Sequence, residues 1–213
     1  MIRTHAEDLF ERFRAERNIM CEMIDTDHGK THDYDIEWYG LRIAVEIKQL
    51  ECDYESLKNG KLREHSTTPG DHIRRKINKA GKQIKTRTAA EYPSLLVIYN
   101  AIYPQINIYS EPYDFLVAMY GLEKAILKLP DDRRVKTQGS KFGGRRKMTE
   151  CMNTSLSALA CLREGTNESL NLDIYHNRYA AVPLDISATR AEGVRHFIVP
   201  RDMEQFTQWE EIE

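Results

Sequence analysis

The spacing of hydrophobic positions changes several times along the chain, and each change predicts an element. Ala6, Leu9, Phe10 and Phe13 recur at the spacing of one helix face. Thr4 with Glu7 has the form of a capping box, so a helix is expected to open at Thr4 and end near Asn18. Ile19 to Ile24 alternates briefly and reads as a first strand. The polar run from Asp25 to His32, with Gly29 inside it, reads as a loop. Alternation then returns in Asp33 to Trp38 and in Leu41 to Leu50, on either side of Tyr39-Gly40. Two strands separated by two residues predict a hairpin, although Tyr-Gly is not a preferred turn pair.

The pattern also supplies a register. With Trp38 facing Leu41, Asp33 faces Glu46, and Tyr34, Ile36, Trp38, Leu41, Ile43, Val45 and Ile47 share one continuously apolar face. Asp33, Asp35, Glu37, Glu46 and Lys48 collect on the other. A slip by one residue would set the apolar side chains of one strand against the charged side chains of its neighbour.

From Glu51 to Asp71 no period is visible, and a long loop is expected. Ile73, Ile77, Ala80 and Ile84 predict a helix from His72 to about Ala90, and Leu95 to Tyr99 is an apolar run suited to a buried strand. The order helix, three strands, helix, strand implies an α/β protein with a mixed sheet covered by helices. Beyond it, Ser110-Glu111-Pro112 opens a helix with Phe115, Leu116, Met119 and Ile126 apolar, and Asp131 to Lys147 reads as a charged boundary loop. Ser155–Leu162, Leu170–Tyr175 and Val194–Val199 read as strands and Met203–Glu211 as a short helix. Residues 1–105 are thus expected to form a core, and residues 106–213 an α/β extension packed on it.

Composition changes this picture little. The 213 residues suffice for one substantial core. A net charge of −2 gives no general attraction to polyanions, so any such site must come from local clustering. The four cysteines show no paired spacing and are expected to be reduced thiols. With no apolar leader and no stretch long enough to span a bilayer, the expectation is a cytoplasmic protein without a membrane partner. Phosphate-binding, dinucleotide-binding and serine-hydrolase signatures are absent.

The charged face of the hairpin carries the candidate chemistry. Facing carboxylates repel unless a cation sits between them, and Lys48 lies on the same face as Glu46. A hard divalent ion, Mg²⁺ or Mn²⁺, suits such a pair, because it takes one or two carboxylates together with waters and substrate phosphate. It would acidify a bound water, and Lys48 would orient that water or stabilise developing charge. The same residues fit a plainer reading, the solvated face of an antiparallel sheet.

Asp33 with Glu46-Ile47-Lys48, in this order of elements, resembles the PD-(D/E)XK nuclease superfamily, which includes restriction endonucleases and Holliday junction resolvases. The resemblance covers about the first half of the chain. It implies a restriction endonuclease-like core, with metal held by Asp33, Glu46 and the Ile47 carbonyl and with Lys48 near the attacking water. Glu7 matches a first-helix glutamate found in some members, and Gln83 a glutamine on the following helix in others; Glu7 fits the helix cap equally well. His32 stands where the family often has proline, which leaves Asp35 in competition with Asp33. The implied activity is Mg²⁺-dependent phosphodiester hydrolysis, with DNA expected ahead of RNA. The alternative is an inactive module of the same fold that binds nucleic acid or a protein. Homodimers are common among such enzymes, but no interface is readable here.

The helix after the hairpin adds Arg74, Arg75, Lys76, Lys79 and Lys82 without an intervening acid, and Lys141 to Lys147 adds Lys141, Arg145 and Arg146 among glycines. Of these, Arg74, Arg75, Lys79, Lys82, Lys141, Arg145 and Arg146 are the expected contacts to nucleic-acid phosphates. His28 and His32, with Asp25 and Asp27 nearby, form a weaker metal-loop pattern.

Overall fold

The computed structural model describes residues 3–24, 33–51, 68–88, 91–101, 107–128, 136–199 and 209–212. Among them run α1 (His5–Glu16), β1 (Met20–Met23), β2 (Tyr34–Trp38), β3 (Leu41–Leu50), α2 (Asp71–Thr88) and β4 (Ser94–Asn100). They are followed by α3 (Asn107–Tyr120), β5 (Leu122–Lys128), β6 (Lys136–Gly143), β7 (Ala158–Glu164), β8 (Leu170–His176), β9 (Val194–Ile198) and β10 (Glu210–Ile212). An eight-stranded sheet has the order β1-β2-β3-β4-β7-β8-β9-β10, while β5 and β6 form a separate ladder. The sheet is mixed: β1, β2 and β3 are an antiparallel meander, β4 lies parallel to β3, and β7 lies parallel to β4.

The capping box forms as expected, with Thr4 Oγ1 accepting from the Glu7 N–H at 3.3 Å and Glu7 Oε2 accepting from the Thr4 N–H at 2.5 Å. The apolar stripe of α1 covers one face of the sheet. There Phe10 meets Tyr34 at 5.9 Å between ring centroids, and Phe13 meets Trp38 edge-on at 6.1 Å. These aromatic contacts bury large apolar surface and orient α1 over β2 and β3.

The hairpin takes the register drawn from the alternation, with Trp38 opposite Leu41 and Tyr34 opposite Val45. Its turn has φ of 47° at Tyr39 and 80° at Gly40. Positive φ at both central residues is the mark of a type I′ turn, whose twist matches that of the flanking strands.

The charged face of the hairpin is only partly solvated. Glu37 is exposed and Lys48 half-buried, whereas Glu46 is wholly buried, because α2 and α3 lie across this face of the sheet; Asp35, beside Arg42 and Tyr92, is 7% exposed. Helix α2 turns Ile73, Ile77, Ala80 and Ile84 into that second core, where Leu96, Ile98, Leu159 and Cys161 meet them. Its start is pinned to α3: Gly70 has φ +75°, and an added Cβ would stand 2.8 Å from the Asp114 carbonyl oxygen and the Val117 side chain.

Four expectations are corrected. The stretch Asp131–Lys147 is not simply a loop, because β6 pairs with β5 across it; its backbone ladder forms without apolar alternation to announce it. Ile126 belongs to β5 rather than to the helix, which stops at Tyr120. Gly121 follows with φ +102°, and an added Cβ would lie 2.5 Å from the Gly144 carbonyl oxygen, so glycine is required at this turn. Residues Glu210 and Glu211 lie in β10, paired with β9, rather than in a helix. The remainder of that expected helix, from Met203 to Gln208, lies outside the described residues, as do the loop from Asp25 to His32 and Cys52. Helix α3 also opens at Asn107 rather than Ser110, which leaves Pro112 inside it. No helix among the described residues is long and apolar enough to cross a membrane, and Cys21, Cys151 and Cys161 are free.

Candidate active site

Asp33 stands at the point where β2 begins. Its N–H donates to the Val45 carbonyl and its own carbonyl accepts from the Ile24 N–H, both at 3.1 Å, so its backbone is tied to strands on both sides. Its side chain continues the ladder: Asp33 Oδ2 accepts from the Ile47 N–H at 2.7 Å. A carboxylate accepting a backbone N–H makes a charge-assisted bond, stronger than an ordinary ladder rung.

Glu46 lies opposite in register and points under α2. Burial pushes its carboxyl up from 4.5 to about 7, and the Asp33 charge adds to the shift; Lys48 and Gln83 act the other way. The Lys48 ammonium forms an ion pair with Glu46 Oε1, and Gln83 of α2 approaches the same carboxylate. Neither contact has the geometry of a well-formed hydrogen bond, so both buried Glu46 oxygens are under-satisfied within the protein. Asp33, Glu46, Lys48 and Gln83, drawn from the start of β2, from β3 and from α2, therefore converge.

Asp35 is occupied elsewhere. Its Oδ2 accepts from Arg42 Nη2 at 2.6 Å and its Oδ1 from the Tyr92 hydroxyl at 3.3 Å. Of the two aspartates left in competition by the sequence, Asp33 is the one that acts on Glu46. Glu7 completes the helix cap described above. The first turn of α1 docks on the end of β3, where Gln49 Oε1 accepts from the Ala6 N–H at 2.9 Å. Gln49, overlooked in the sequence, thus ties this end of β3 to α1 and also donates to Glu51 Oε1 at 3.1 Å.

The expected phosphate contacts divide. Arg74 is corrected: it is 4% exposed, its Nη1 donates to the Pro69 carbonyl at 2.8 Å and to Asp71 Oδ1 at 2.5 Å, and its Nη2 donates to the Val117 carbonyl at 2.8 Å. It fastens α2 to α3 and is turned away from solvent. Arg75, Lys79 and Lys82 are exposed along α2. Arg145 and Arg146 are exposed on the turn after β6, with Arg145 Nη1 3.5 Å from Asp71 Oδ2, so this turn borders the start of α2. The Lys141 side chain lies outside those described.

One residue counted in the sequence only as part of the basic run belongs beside the site. Lys76 is half-buried, and its ammonium is destabilised by burial and by the neighbouring charges of Lys79 and Lys48, while Glu51 favours it. The signal available was its spacing: seven residues before Gln83, it falls on the same side of the helix.

Among the described residues no three His, Cys, Asp or Glu side chains gather as a metal-binding group. Asp33 and Glu46 are the two carboxylates here that could hold a cation. No protein-family model, curated protein or solved structure matches this chain.

Proposed function

We propose that this protein is a metal-dependent nuclease of the PD-(D/E)XK type, hydrolysing phosphodiester bonds, with DNA ahead of RNA as substrate, and that it acts in the cytoplasm. The observation that carries the reading is the wholly buried, under-satisfied Glu46 carboxylate beside Asp33, with Lys48 and Gln83 against it. A carboxylate is costly to keep in such a place unless its charge has a use. The succession of α1, the three-strand meander, α2 and a parallel β4 supports a restriction endonuclease-like core over residues 1–105, with residues 106–213 as its extension.

Asp33, Glu46 and the Ile47 carbonyl would hold Mg²⁺ or Mn²⁺, which when bound supplies positive charge to acidify water and neutralise phosphate. The chain's own contributions follow from position. The Ile47 N–H fixes Asp33, and Gln83 holds Glu46 from the helix side. Lys48 meets the attacking water or the charge that develops on the phosphate. Arg75, Lys79, Lys82, Arg145 and Arg146 offer contacts to the nucleic-acid backbone away from the cut. Glu7 acts as a helix cap in this reading, outside the chemistry.

A second reading, a module of the same fold that binds nucleic acid or a protein without cutting, draws on the Lys48–Glu46 ion pair, which already offsets part of the buried charge. Plasmid, single-stranded DNA and RNA, each incubated with Mg²⁺, with Mn²⁺ and with EDTA, separate the two. The nuclease reading expects metal-dependent cleavage that drops by roughly a hundredfold or more in a folded Lys48→Ala variant. Intact substrate in every arm, or undiminished cleavage by that variant, overturns it.

A further inference from the structure

The geometry points to a second amine in the site: we propose that Lys48 and Lys76 together form a pocket for a phosphodiester group, with Lys76 touching the substrate phosphate directly. Its substrate class rests on the nuclease reading, whereas its affinity for phosphate does not.

The placement follows from topology. Strand β3 leads into α2 and then into β4, and β4 is parallel to β3, so α2 must run back antiparallel to β3. Gln83 stands at Glu46. Seven residues earlier on the helix is a displacement of about 10 Å, at about 1.5 Å per residue. Along β3 the same displacement, at about 3.3 Å per residue, is about three residues; it passes Lys48 and reaches Gln49, between Lys48 and Glu51. Lys76 accordingly feels the charges of both Lys48 and Glu51.

Flanking residues on α2 show that this is a distinct side of the helix. Arg74 reaches α3 through the Val117 carbonyl, and an added Cβ at Gly81 would stand 2.3 Å from Asn153 Oδ1, so that flank is packed against other elements. Lys76 and Gln83 occupy the opposite flank, towards β3, across the stripe formed by Ile73, Ile77, Ala80 and Ile84.

Among the described residues, the positive charges near Lys76 outnumber the acids. Lys48 is matched by Glu46, whereas Lys76 and Lys79 share Glu51, whose Oε1 also accepts from Gln49. Two half-buried ammonium groups held near one another repel unless an anion lies between them. A phosphodiester carries one negative charge over two non-bridging oxygens, one for each ammonium, and lysine binds phosphate as a compact point charge. The acidic half of the site, Asp33 and Glu46, begins on the far side of Lys48.

The test is made without cleavage. A short fluorescent single-stranded DNA is titrated in EDTA against the wild type, Lys76→Ala, Lys76→Arg and Lys79→Ala. Loss of one charge-assisted contact should weaken binding roughly tenfold in Lys76→Ala, with most of it restored in Lys76→Arg, against roughly twofold in Lys79→Ala. In a second readout, acylation of Lys76 followed by mass spectrometry should be slowed by the oligonucleotide at concentrations where inorganic phosphate has no effect. Equal losses in Lys76→Ala and Lys79→Ala, or Lys76 acylation unchanged by the oligonucleotide, overturn the pocket. Protection by inorganic phosphate at the same concentration reassigns it to free phosphate and overturns it as a diester site. Wild-type protein that binds through Lys76 yet cuts nothing sinks the nuclease reading and keeps the pocket; metal-dependent cleavage with unchanged KM in Lys76→Ala does the reverse.

Discussion

Two buried carboxylates share one face of the sheet, and their surroundings are opposite. In register, Lys48 pairs with Ile98, Ile98 with Cys161 and Cys161 with Asp173, so Asp173 lies level with the candidate site, three strands away. Asp173 is 1% exposed and saturated: Arg195 donates to Oδ1 at 2.8 Å and to Oδ2 at 2.6 Å, and Arg163 forms a further ion pair. Glu46, equally buried, has one lysine and one glutamine against it, both poorly aligned. A buried charge held by two guanidinium groups is structural, because each of its oxygens has a donor. One left short of donors is poised to accept something from outside. The comparison teaches that burial alone does not tell the two acids apart; the donors around them do.

The largest effect should come from Asp173→Ala, which removes the buried acid that Arg163 and Arg195 share and leaves them Glu111 and Glu211 as partners. Breaking a buried pair in this way should cost about 4 kcal/mol of stability, read by urea denaturation. A cost below about 1 kcal/mol would show that the Asp173 cluster is no more structural than the Glu46 site.

Glu46→Gln should act in the other direction. Burial raises the folded-state carboxyl from 4.5 to about 7, so between these values the folded chain keeps a proton that the unfolded chain has released. Stability conferred by that proton is present below 4.5, declines as pH rises towards 7, and stays low above it. The glutamine variant escapes this decline. In EDTA at pH 8 it should be more stable than the wild type by up to about 3 kcal/mol, with the gap closing near pH 4.5. Parallel stability curves for the two proteins from pH 5 to 8 would remove the distinction between Glu46 and Asp173.

Glu7 supplies the smallest effect and a control carboxylate at the protein surface. Thr4→Ala should cost about 1 kcal/mol through loss of the cap. Glu7→Gln, which can still accept from the Thr4 N–H, should change stability by less than about 0.5 kcal/mol and leave cleavage intact. A collapse of activity in a stable Glu7→Gln would return that residue to the chemistry.

The hairpin was legible in the sequence because its two strands carry an unbroken two-residue period, and only one register reconciles both faces. Convergence of Asp33 with Glu46 followed from that register. What lies over the charged face was not legible: the burial of Glu46 depends on α2 crossing it, a tertiary event to which the strand pattern is blind. Arg74 misled for a similar reason, since a guanidinium that seeks backbone carbonyls looks no different in sequence from one that seeks phosphate. The ladder of β5 and β6 escaped notice because Lys136–Gly143 is polar and contains glycines, and alternation is informative only when one face must be apolar. Gln83 could be reached only through family resemblance, and Lys76 could have been reached from its spacing to Gln83.

The bond from the Ile47 N–H to Asp33 joins architecture to reactivity. Where the edge of β2 runs out, a side chain takes over a duty ordinarily given to a main-chain carbonyl, so the acid cannot drift without unzipping part of the sheet. Its accuracy is borrowed from the scaffold. A form of the chain with no use for the charge of Asp33 would still need an oxygen at this rung, and asparagine is the replacement that meets that need.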